Sequence, residues 1–147
     1  MATYPDVQIA DLQAAYEGWP GSRAEKAPLA ALVLRVRIER AAARLPRTVI
    51  MKPHISVIER RLHLSIGEPG LSPEAQVRRM RVIAGALDAY GAICEILHGR
   101  NPDPVPSLAD LDSWTSAVDA LEENLYPAPA AVPGARDRLL LTATTGT

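Results

Sequence analysis

Histidine, cysteine and paired carboxylates are the residues of this chain that could do chemistry near neutral pH, and their spacing decides how much of it is open to them. The three histidines, His54, His63 and His98, are too scattered for the short ligand spacings of a zinc site, so no metal is expected. His98 falls in the last turn of an expected helix, where a cation suits the dipole, and His63 on the polar side of another. Asp88 and Glu95 share a helical face with Arg81, and Asp112, Asp119 and Glu123 share a second. Catalysis by two carboxyls needs environments that push their proton affinities apart. Acids along wet helical faces are expected to be solvated or ion-paired instead.

Cys94, the only cysteine, stands among Ile93, Ile96 and Leu97 and reads as a small core residue. A single cysteine forms no internal disulfide, which excludes a secreted disulfide scaffold. The glycines at 67 and 70 do not make a phosphate loop, because no Lys-Ser/Thr pair follows and Pro69 removes an amide donor. Neither a nucleophile elbow nor a dinucleotide fingerprint is present. The expectation is a protein that is not an enzyme and takes no cofactor.

Arginine gives the better handle. Residues 23–81 hold 13 Lys or Arg against 5 Glu, whereas residues 88–123 hold eight acids against Arg100, although the whole chain carries only -1. Arg37, Arg40, Arg44 and Arg47 form a stripe at helical spacing, and Arg60 and Arg61 follow. Two arrangements fit: the acidic last helix packs beside the basic middle of the same molecule, or the basic face is exposed to a partner. The 35–81 segment, with Arg35, Lys52, Arg78, Arg79 and Arg81 added, could neutralise phosphates, but no aromatic residue is interleaved for base stacking.

The elements that must position these residues read as helices. With Phe absent and aromatics at 4%, the core has to be built from Leu, Ile, Val and Ala, which suits close-packed helices in a single domain. A first helix is expected from Asp6 to Trp19, with Ile9, Leu12, Tyr16 and Trp19 on its apolar side. A second runs from Pro28 to Leu45, burying Leu34, Ile38, Ala41, Ala42 and Leu45, and Pro46 stops it. Pro53 opens a third through Ile55, Ile58, Leu62 and Ile66. The alternation of Leu34, Val36 and Ile38 with charged residues leaves an α+β alternative, with short strands between residues 33 and 66.

Ser72, Pro73 and Glu74 give the clearest helix start, and that helix is expected to reach His98 with Met80, Ile83, Ala84, Leu87, Tyr90, Cys94 and Leu97 on its apolar face. Gly85, Ala89 and Ala92 form a second, small-residue seam. Ser107 and Asp110 resemble a capping box for a last helix that buries Leu111, Trp114, Val118, Leu121 and Leu125. The fold class is thus mostly α, a compact bundle of about five helices over residues 1–126, followed by a Pro/Ala-rich tail over 127–147 with an apolar tip at Leu139, Leu140 and Leu141.

Residues 1–6 lack the pattern of a signal peptide, and no apolar run nears the roughly 18 residues of a membrane span, so a cytoplasmic protein, or a particle component assembled there, is expected. The function expected from this pattern is a non-catalytic structural or adaptor protein, forming a homo-oligomer or joining a larger assembly. The partner-binding candidates are the basic face (Arg37, Arg40, Arg44, Arg47, Arg60 and Arg61) and the tail leucines. A connector or assembly component of a bacteriophage particle fits that organisation by analogy. The alternative is a nucleic-acid-binding regulator that uses the basic 35–81 segment.

Overall fold

A computed structural model of the chain describes residues 9–45, 57–99 and 105–128. Five helices occupy them: α1 (Ile9–Gly18), α2 (Ala27–Ala43), α3 (Val57–Leu64), α4 (Pro73–Leu97) and α5 (Leu108–Leu125), with a 3-10 turn at Ser65–Gly67. No strand occurs among the described residues, so the α+β alternative fails over what can be seen of it. Its physical basis is visible at Leu34, Val36 and Ile38: the first and last are buried four residues apart, while Val36 turns to the flank.

Local chemistry sets the helix ends. The Ser72 hydroxyl accepts the Ala75 N–H at 3.2 Å and Pro73 opens α4 without wasting a donor. At α5 the Ser107 hydroxyl accepts the Asp110 N–H at 3.0 Å while the Asp110 carboxylate accepts the Ser107 N–H at 3.4 Å, the reciprocal cap expected of that pair. Gly99 ends the α4 segment at φ 66°, a left-handed conformation that glycine adopts at least cost. Lys26 precedes α2, which carries Pro28 in its first turn.

Packing centres on α2, α4 and α5, each of which meets the other two; α3 lies against α2 and α4, and α1 rests on α2. Ile38, Leu62, Ile83, Ile93, Val118 and Leu121 are fully buried at their junction. Burying each such side chain is worth about 1.5–3 kcal/mol. Ala31, Ala41 and Ala42 on α2 and Ala86 and Ala89 on α4 are also buried, and their small side chains let the helix axes come close. Leu111, Val118 and Leu121 point inward on α5 while Asp112, Ser116, Asp119 and Glu123 stay outside, as the sequence spacing requires.

Two expectations need correction. Met80 and Ala84 were expected on the buried face of α4 but are exposed; Ile83 is fully buried and Leu87, Tyr90 and Leu97 pack partly buried against the core as expected, while Arg79, Ala86, Ala89, Ile93 and Ile96 complete the inward face. This helix is apolar around more than half its circumference, so periodicity does not choose between the two sides. Trp19 is 61% exposed because α1 stops at Gly18, and no residue of α1 is fully buried. Cys94 is only partly buried, and His63 and His98 are exposed. Asp6, Pro46, Arg47, Lys52, Pro53, His54, Ile55 and the tail leucines Leu139, Leu140 and Leu141 lie outside the described residues. Among the described residues no helix is long and apolar enough to cross a membrane.

Candidate functional site

The seam between α2 and α5 is where the opposite charges of the sequence meet. Arg37 projects from α2 so that its Nε donates to Glu122 Oε1 and its Nη2 to Asp119 Oδ1, both at 2.6 Å. Burial works against the Arg37 cation, but its bonds to Asp119 and Glu122 outweigh that and hold its pKa above the usual value. Arg23, in the loop before α2, reaches Asp112 one turn into α5. Among these residues, the basic middle and the acidic last helix therefore neutralise each other within one molecule.

A second polar cluster ties α2 to α4. Glu39 Oε1 accepts from Arg35 Nε at 2.9 Å and from the Tyr90 hydroxyl at 3.0 Å. Burial, then the charge of Glu39, push the Tyr90 phenol above its ordinary pKa, because ionising it would set two anions together. The third cluster centres on Arg79, which is buried on α4. Its Nε donates to Asn124 Oδ1 at 2.9 Å, one Nη donates to the Ser65 carbonyl at 3.0 Å and to Glu68, and the other donates to the Asn124 carbonyl at 3.4 Å. A guanidinium with five donors is the one side chain that can join α4, α5 and the 3-10 turn in this way.

Beyond the seam, Arg37, Arg40 and Arg44 line a cleft of about 560 Å³, with Glu122, Glu123 and Tyr126 opposite. A neighbouring recess of about 320 Å³ has Leu45, Leu64 and Leu125 in its walls, with Arg44, Arg61 and Tyr126 beside them. Tyr126 and Arg44 belong to both. The Tyr126 hydroxyl donates to the Ala41 carbonyl at 2.7 Å, and the Arg44 guanidinium sits 5.9 Å from its ring. Burial raises the Tyr126 pKa, with Arg44 and Arg79 pulling the other way.

Of the six arginines expected on a basic face, Arg37, Arg40 and Arg44 share the larger cleft, and Arg61 joins Arg44 in the smaller one. Arg60 lies partly buried on α3 and lines neither, and Arg47 is outside the described residues. Sequence reasoning did not single out Tyr126. Its position between Leu125 and Pro127, just past the last helical turn, was the available signal. What the arrangement offers chemically is guanidinium donors and an aromatic ring beside leucines, the groups of a binding surface. Among the described residues no cluster of three or more His, Cys, Asp or Glu could hold a metal ion. Comparison with protein-family models, curated proteins and solved structures finds no match to this chain.

Proposed function

We propose that the protein is a non-catalytic structural or adaptor protein that assembles with copies of itself, alone or within a larger complex. The observation that carries this reading is where the apolar side chains are left over. Leu64 and Tyr126 are 45% and 37% exposed beside the arginine recess, and Val77 and Met80 are 46% and 53% exposed on α4. Arginine, tyrosine and methionine are enriched in protein interfaces, and paired outward apolar residues favour a partner that covers them. A connector or assembly component of a bacteriophage particle remains one setting for such a body, by analogy of organisation.

Nucleic-acid binding ranks behind this reading, because Arg35, Arg37 and Arg79 spend their charge on groups of the same molecule. That leaves the 35–81 segment less charge with which to displace counterions from phosphates. Sedimentation velocity of the purified full chain over a wide concentration range tests the proposal. Assembly predicts species heavier than one chain whose share grows with concentration, and a monomer at every concentration overturns it.

A further inference from the structure

Among the described residues, the arginines whose side chains make neither a hydrogen bond nor an ion pair are Arg44, Arg61, Arg78 and Arg81. Arg44 and Arg61 share one recess, of about 320 Å³, where the C-terminal ends of α2, α3 and α5 meet. Its walls carry Leu45, Leu64 and Leu125, one from each of those ends, with Tyr126 beside them. Glu68 is the one acid of the described lining, and its carboxylate is taken by the buried Arg79. Two positive charges are therefore left over beside an apolar floor.

Helix C-termini attract cations, which would be reason enough for two arginines if the carbonyls there lacked other donors. Donors from within the chain already reach each end. The Tyr126 hydroxyl donates to the Ala41 carbonyl, the Ser65 hydroxyl to the Leu62 carbonyl, and Arg79 to the carbonyls of Ser65 and Asn124. We propose that this recess binds a small amphiphilic carboxylate, its head taken by the guanidiniums of Arg44 and Arg61 and its aliphatic or aromatic body laid on Leu45, Leu64 and Leu125. A guanidinium presents its donors in a fork that matches a carboxylate, and apolar walls weaken the screening of such a bond by water. Size favours a small molecule over a protein segment, since the recess stands at the lower end of the range of about 300–1,000 Å³ in which small-ligand sites fall. Mostly apolar walls with a few converging polar groups are also how such sites are built. The inference stands apart from the self-assembly reading, because a single chain supplies the whole recess.

Calorimetric titration of the full chain with sodium octanoate, kept below its micellar range, tests this, with 1-octanol as the uncharged control. Octanoate is expected to bind at one site per chain, about tenfold tighter than octanol. Arg44→Gln and Arg61→Gln should each weaken octanoate about tenfold and leave octanol unchanged, while circular dichroism shows both variants folded as wild type. Methyl NMR spectra should place the bound octanoate by shifting Leu45, Leu64 and Leu125. Equal affinity for the two compounds, octanoate binding that survives both substitutions, or no saturable binding at all overturns the proposal. Sedimentation of the same samples reads the assembly proposal separately, so either can fail while the other stands.

Discussion

Two rows of charge in this molecule look alike along the chain and end differently in space. On the α2–α5 seam, Arg37 lies against Asp119 and Glu122, and the pairing is complete within one molecule. On α4, Arg81, Asp88 and Glu95 stand at equal spacing along an outward edge with no ion-pair partner among the described residues. The difference comes from the neighbouring apolar residues. Ile38 on α2 and Val118 and Leu121 on α5 are buried together and carry their charged neighbours to a shared rim, whereas Val77, Met80 and Ala84 face solvent and carry theirs away from the body. Charge patterning alone says which groups attract; the greasy face beside them says whether they meet at home.

The contrast can be broken most severely from the inside. Leu121→Ala removes a fully buried side chain and is expected to cost about 3 kcal/mol of folding stability, read as a lower urea midpoint. Met80→Ala, on the outer face, should leave monomer stability within about 0.5 kcal/mol while loosening self-association. Equal losses from the two would erase the distinction drawn between the faces.

Arg79→Leu comes next. It strands the Ser65 carbonyl and Asn124, whereas Glu68 is 57% exposed and turns to water, so about 2 kcal/mol is expected by the same unfolding measurement. Arg37→Leu should cost less, about 1 kcal/mol, because Asp119 is 60% exposed and solvent screens the pair. Molar salt should shrink that gap between wild type and variant, and an undiminished gap would mean that Arg37 acts through packing rather than charge.

The smallest effect is a pH dependence. Tyr90 holds its proton more tightly folded than unfolded, so its contribution to stability is complete below the ordinary tyrosine pKa of about 10 and is lost as pH rises through the higher folded value. Unfolding followed into that alkaline range should show wild type losing stability more steeply than Tyr90→Phe. Parallel curves would remove the Glu39–Tyr90 bond from the account.

Much of the fold was legible because its signals are local. The Ser72-Pro73 start and the Ser107 and Asp110 box act through atoms within one turn, and α5 has a single apolar stripe that leaves no choice of face. The rotation of α4 was not legible, since Met80 and Ala84 continue the apolar pattern of Ile83 and Leu87 and only the neighbours decide which half turns inward. Arg79 was assigned to a basic surface because its inward partners, Ser65, Glu68 and Asn124, come from distant parts of the chain. The stripe of Arg37, Arg40 and Arg44 was legible, but not that Tyr126 would stand across from it, because that contact spans 85 residues between the Tyr126 hydroxyl and the Ala41 carbonyl.

Hydrogen exchange of the full chain at low and high protein concentration tests most directly whether the inner seam is complete and the outer edge is not. Amides of α4 around Val77 and Met80 are predicted to gain protection as concentration rises, while those of α2 and α5 along the Arg37 seam stay as they were. Protection that is independent of concentration along α4, or that rises at the seam instead, would contradict the account.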